Sequence, residues 1–117
     1  MRKEKKFVNL TPHEIRVIKG NGEVMVIQPS GLIARIKEEI LFDEVVEDVE
    51  MIEKRFSEVE GLPEKIEKNA IYVVSMMVKN TERLRSNSKF VVPDTGATAI
   101  RENGRIIAVR RFISIIK

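Results

Sequence analysis

A mainly β fold, a small sandwich or barrel of about seven or eight short strands with one short helix, is the architecture that the sequence predicts. Three observations carry that expectation. Short apolar runs rich in Val and Ile recur along the chain, as in Ile15-Arg16-Val17-Ile18 and Arg105-Ile106-Ile107-Ala108-Val109. Turn residues separate these runs, and two of the turns contain Asn-Gly, which tolerates the positive φ of a tight hairpin. A single stretch, after Ser75, pairs an N-cap residue with helical spacing.

The elements follow in order. Phe7-Val8-Asn9-Leu10 is a short strand, and Thr11-Pro12-His13 is the turn after it, because Pro fixes its own φ and restricts the residue before it. Ile15–Ile18 and Val24–Ile27 flank Gly20-Asn21-Gly22 as a hairpin. Pro29-Ser30-Gly31 makes the next turn, and Leu32–Ile36 the next strand. Leu41–Glu60 is two-faced. Phe42, Val45, Val49, Ile52, Phe56 and Val59 recur at alternating steps of three and four, as on an amphipathic helix. Its Val and Ile content, and the alternation of Val49 and Met51 with Asp48 and Glu50, fit a strand instead. Periodicity alone favours the helix.

Gly61-Leu62-Pro63 ends that segment. Ala70–Val74 is strongly apolar and is expected to be a central strand. Ser75 is expected to cap a helix over Met76–Arg85, with Met77, Val78 and Leu84 on its buried side. Ser86-Asn87-Ser88 is a loop, and Phe90–Val92 is a strand closed by Pro93. Thr98–Arg101 and Arg105–Val109 flank Glu102-Asn103-Gly104 as the clearest hairpin, whose last strand is expected to continue through Phe112, Ile113 and Ile115.

The 117 residues are 43% hydrophobic, enough for one core, so residues 1–117 are expected to form a single domain. No apolar run approaches the roughly 20 residues of a membrane span. The basic start, Met1–Lys6, leads into no apolar signal region, which predicts a cytoplasmic protein (host cytoplasm for a viral one) with no membrane partner. Zero Cys excludes disulfides and thiolate chemistry, a single His excludes a His-rich metal site, and no cofactor or metal is implied. Enrichment in Lys, Glu and Ile without Cys or Trp fits a thermophile. Charge is unevenly spread: net +4 over residues 1–36, −7 over 37–68 and +6 over 69–117. The basic ends suit phosphates if they meet, and otherwise neutralise the acidic middle.

Six residues stand out as a candidate ligand site. His13 is the one side chain with an unperturbed pKa near neutrality, and it sits in a turn. Arg35, in an apolar strand, needs an acidic partner or an anion, and Asp94 is a natural bidentate partner. Asp94 and Thr95 occupy a Pro-Asp-Thr-Gly turn, where Asp commonly accepts from backbone donors. Ser30 lies in a Gly-containing turn that lacks the length and the Lys of a P-loop. Arg101 opens the C-terminal hairpin, and with Arg105, Arg110, Arg111, Lys3, Lys5 and Lys6 it could track a nucleic-acid backbone. Ser30 or Ser75 with His13 and Asp94 can be drawn as a catalytic triad, but none sits in a nucleophile elbow.

Asp94-Thr95-Gly96-Ala97 resembles the active-site loop of retroviral-type aspartic proteases. In those enzymes most of the fold follows the loop, whereas here only Ala97–Lys117 follows it. A different resemblance spans nearly the whole chain. Asn9-Leu10-Thr11-Pro12-His13-Glu14-Ile15, Pro29-Ser30-Gly31-Leu32-Ile33-Ala34-Arg35, Gly61-Leu62-Pro63-Glu64 and Tyr72-Val73-Val74-Ser75 come in that order. Val92-Pro93-Asp94-Thr95-Gly96, Ala99-Ile100-Arg101 and Asn103-Gly104-Arg105-Ile106-Ile107-Ala108-Val109 complete the pattern. Together they resemble a family of small uncharacterised phage, prophage and archaeal-virus proteins. The resemblance implies that Asp48–Glu60 is extended, which overrules the helical periodicity, and it leaves Lys37–Val49 open. It names no activity.

These readings converge on a non-enzymatic binding module that sequesters a small anionic or nucleotide-like ligand. Arg35 and Arg101 would neutralise charge, His13 would donate a hydrogen bond, and Asp94 would orient an Arg or accept from the ligand. The alternatives are a structural protein that contacts nucleic acid or a host protein, and a small hydrolase using His13 and Asp94. The apolar strand Phe112–Ile116, as an exposed edge, would pair two chains into a homodimer.

Overall fold

A computed structural model describes residues 5–115. Ten strands and one short helix are found among them, in a mainly β fold whose sheets are small and do not close into a barrel. β1 is Lys6–Asn9, β2 is Ile15–Ile18 and β3 is Val24–Ile27. β4 is Arg35–Val46, and β5 is Val49–Glu60. β6 is Ala70–Val73, α1 is Met76–Lys79 and β7 is Phe90–Pro93. β8 is Ile100–Glu102, β9 is Arg105–Ala108 and β10 is Phe112–Ile113.

The central sheet has the order β1-β6-β7-β10, with β1, β6 and β7 parallel and β10 antiparallel to β7. Parallel neighbours need long crossovers, and the chain between β1 and β6 supplies two hairpins. The crossover between β6 and β7 contains α1. Ala70, Tyr72, Val73 and Val74 are buried, so this strand is central as its apolar run predicts. One core cluster joins Leu10, Ala34, Tyr72, Val78, Leu84 and Phe90. A smaller one, of Val17, Ile27 and Val109, lies under the β2–β3 hairpin. That hairpin is tied to the end of β9 by backbone bonds between Ile18 and Val109 (2.8 Å) and between Val109 and Arg16 (2.9 Å). Phe7 on one edge of the central sheet and Phe112 on the other bring their rings within 4.9 Å, so the sheet is strongly curled.

The strand expected over Leu32–Ile36 begins only at Arg35, because the Ala34 N–H is taken by the Leu10 carbonyl, and two further expectations are corrected. The helix after Ser75 spans Met76–Lys79 rather than Met76–Arg85. Ser75 does cap it, its Oγ accepting from the Val78 N–H at 3.3 Å, and Val78 and Leu84 are buried, but Met77 is exposed. Beyond α1 the chain runs in tight turns closed on Thr81 and Leu84. The second correction is β10, which leaves the C-terminal hairpin and pairs with β7 through Phe112–Pro93 and Ile113–Val92. It is an edge strand, as expected; Ile116, also named in that expectation, lies outside the described residues, as does Lys3.

β4 and β5 form the feature that sets the molecule's shape. Among the described residues they pair only with each other, as a hairpin of 12 residues per strand. The hairpin is an arm that projects from the body. The radius of gyration is 17.1 Å and the long axis 61 Å, against roughly 13 Å for the radius of a compact chain of this length. Only its root touches the core, where Ile36 and Val59 pack on the larger cluster.

A candidate interaction site on the arm

The six residues singled out in the sequence fall into three places. His13 and Ser30 gather around Asn9, a buried residue (1% exposed) that the sequence reading passed over. The Asn9 amide donates to the carbonyls of His13 (2.7 Å) and Ile27 (3.1 Å). Its Oδ1 accepts from the Thr11 N–H (2.9 Å) and hydroxyl (2.7 Å), and its carbonyl accepts from Ser30 N–H (2.9 Å). The Ser30 hydroxyl turns back on Leu32, and the His13 side chain is exposed. Asn9 is polar within an apolar run, and that is the signal that could have found it: a buried amide needs partners.

Asp94, Thr95 and Arg101 form the second group. The Asp94 carboxylate accepts from Arg111 Nε and from the Gly96 N–H (2.9 Å), so its partner is Arg111 and not Arg35. Arg101 donates to the carbonyls of Thr95 (2.8 Å) and Gly96 (3.2 Å). Two guanidinium groups thus brace one turn. The bond from Arg111, then that from Gly96, lower the Asp94 pKa below the usual carboxylate value. An ionised Asp committed to Arg111 is unlike the shared-proton dyad of an aspartic protease. With its folded pKa depressed, Asp94 stabilises fully above its unfolded value of about 3.9 and loses that contribution as pH falls through the folded pKa. Asp94→Asn should therefore melt at a lower temperature than the parent at pH 7. The gap should narrow as pH falls below about 3.9 towards the depressed folded pKa, and a gap that stayed unchanged over that descent would refute this account.

Arg35, the third place, stands at the root of the arm, paired in register with Glu60. It lines a groove with Glu38, Phe56, Ser75 and Met77. Thr95 lines a different groove, of about 180 Å³, with Glu14, Ile15 and Ile106. Among the described residues no group of three His, Asp or Glu side chains could hold a metal ion, and no helix is long and apolar enough to cross a membrane.

The arm presents a more coherent surface than any of these. Directly opposed residues share a face, and side chains alternate along each strand. The register pairs Ile36 with Val59, Glu38 with Phe56, Ile40 with Lys54, Phe42 with Ile52 and Val45 with Glu50. Two register shifts, between Ile36 and Glu38 and between Phe42 and Glu44, carry the extra residue of a β-bulge. They keep Ile36, Ile40, Phe42, Val45, Ile52 and Phe56 on one face, flanked there by Glu38, Glu50 and Lys54. This apolar stripe begins at the core and runs out into solvent, where Phe42 is 69% exposed. The opposite face sets Glu39, Glu44, Glu53 and Arg55 among Leu41, Val46, Val49 and Met51, and carries neither Phe. At the root the stripe meets α1 in a groove of about 490 Å³ lined by Ile36, Phe56, Met76 and Met77. Both Met side chains are exposed and flexible enough to adapt to an apolar partner.

No protein-family model matches the chain, and no curated protein or solved structure matches it.

Proposed function

We propose that this protein is an interaction module that engages another protein through its β-hairpin arm. One observation carries the reading: the arm exposes a continuous apolar stripe that is an extension of the core. Single exposed apolar residues need no explanation, but a contiguous patch rimmed by charge marks an association surface. Aromatic anchors such as Phe42 and Phe56, the latter with adaptable Met side chains beside it, are what hot spots use. The resemblance to small phage and archaeal-virus proteins supports a partner of viral or host origin.

A photo-crosslinking residue placed at Phe42 tests the reading. It should yield a discrete crosslinked protein identified by mass spectrometry, whereas the same residue at Arg105, on the body, should not. Crosslinking from position 105 and none from 42 would move the interaction off the arm.

The second reading is a small anionic or nucleotide-like ligand. It is supported by Arg101 and Arg111, two exposed guanidinium groups that converge on the Asp94-Thr95-Gly96 turn and keep free donors. A salt-resistant thermal shift with nucleotides or cyclic dinucleotides, lost in Arg101→Ala, is the expected result. At a hundredfold Kd such a ligand adds about 2.7 kcal/mol. A shift only with polyanions at low salt would instead indicate a charged surface for nucleic acid.

A further inference from the structure

We infer that the arm's partner is a second copy of this chain, the two arms lying antiparallel with their apolar stripes face to face; this rests on the reading of the arm as the interaction device. Three observations lead to a second copy.

The first is charge. The arm, Arg35–Glu60, holds four basic and ten acidic side chains, net −6, against +9 for the rest of a chain whose total is +3. Within the arm the charge is polarised. The root half holds four basic and four acidic side chains and is neutral, while the tip half, Ile40–Glu53, has six carboxylates and no basic residue. An antiparallel pair sets each acidic tip over the neutral root of the other copy and towards a body of net +9. A parallel pair would set tip against tip. Two-fold symmetry requires a surface to be self-complementary, and this one is complementary only end to end.

The second is conformational. The tip is a two-residue turn in which Glu47 (φ 49°) and Asp48 (φ 65°) both have left-handed backbone. Such turns favour Asn-Gly, and this chain uses Asn103-Gly104 in the hairpin of β8 and β9. At the arm's tip it keeps two carboxylates despite the backbone strain, and a tip that must reach a basic surface accounts for them.

The third is area and continuity. Twelve residues per strand give a face of about 40 Å by 10 Å, so two stripes in contact remove about 800 Å² from water. Overlap of each tip with the other copy's Met76–Met77 groove extends the same apolar surface. That overlap brings the total towards the roughly 1,200 Å² at which specific interfaces begin. Face packing is favoured over edge pairing because both bulges interrupt the arm's edges.

Light scattering and sedimentation of the purified full chain test the inference. The expected mass is twice the 13.4 kDa of one chain. Phe42→Asp and Ile52→Asp, both at exposed positions that leave the core untouched, should raise the dimer Kd by about 100-fold. The chain has no Cys, so single-cysteine variants report geometry directly. Ile40→Cys, near the arm's midpoint, should form a disulfide between copies under mild oxidation, and Val45→Cys, on the same face near the tip, should not. Three results would each overturn the inference: a monomer at all concentrations, a dimer indifferent to Phe42→Asp and Ile52→Asp, or crosslinking through Val45→Cys alone. A monomer whose position 42 still crosslinks a different protein would end self-pairing but leave the interaction reading standing. A monomer with no crosslink at 42 would end both.

Discussion

Gly61→Ala should remove about 3–5 kcal/mol of stability, a large share of the 5–15 kcal/mol typical of a folded domain. Gly61 follows β5 directly, with φ +84°, where an L side chain is strained. A Cβ there would lie 1.9 Å from the Ile33 carbonyl oxygen and 2.8 Å from its carbon. Those are backbone atoms, and they cannot yield. Ala34, the next residue, is buried in the core, and its N–H donates to the Leu10 carbonyl at 2.9 Å. Gly61 is thus where the chain leaving the arm crosses the chain entering it, and the missing side chain allows the crossing. Two other glycines separate the causes. Gly20 has neither a positive φ nor a neighbour within 4 Å, so Gly20→Ala should be nearly neutral. Gly22 has φ +88° in open space, so Gly22→Ala should cost about 1 kcal/mol through the backbone alone. Urea unfolding of the three variants measures the series. If Gly61→Ala cost no more than Gly22→Ala, the crossing would not be close-packed.

The short hairpins were legible in the sequence because their chemistry is local. Asn21-Gly22 and Asn103-Gly104 sit between apolar runs, and β2–β3 and β8–β9 form where expected. The arm was harder to read, for a physical reason. Two steps of three in its apolar pattern, Phe42 to Val45 and Phe56 to Val59, span the two bulges, while Ile52 to Phe56 is an even step along one strand. A bulge adds a residue without changing the face, so a bulged strand imitates helical spacing. The resemblance gave the right extended state for Val49–Glu60, although the local pattern favoured a helix; Asp48, where it began the segment, lies in the tip turn. The parallel pairing of β1, β6 and β7 had no local signature, since it depends on contacts far apart in the chain. The same holds for the candidate residues. That Asp94 would need a cation was legible in its charge, but whether Arg35 or Arg111 supplied it depended on β10 folding back onto β7.

Lys79→Ala should cost about 3–5 kcal/mol, and Lys79→Met about 1–3 kcal/mol. Lys79 is 0% exposed at the end of α1, among the largest fully buried side chains. Its ammonium donates to the carbonyls of Leu84 (2.9 Å) and Asn87 (2.7 Å), and among the described residues no carboxylate accompanies it. The side chain therefore closes the turns that follow α1, including Thr81 and Glu82 on the wall of the groove at the arm's root. Met keeps the apolar stem but leaves two carbonyls without a donor, whereas Ala also leaves a cavity. Burial lowers the Lys79 pKa. Between the folded pKa and the unfolded value of about 10.4 the unfolded chain holds the proton that the native chain has lost, so stability rises with pH. A neutral amine still has two N–H groups for the two carbonyls. The margin of the parent over Lys79→Met should accordingly widen from pH 8 towards pH 10.5 in urea titrations. A margin that stays constant, or a Lys79→Met variant as stable as the parent at pH 8, would mean that the ammonium is solvated and the turns are held by the backbone alone.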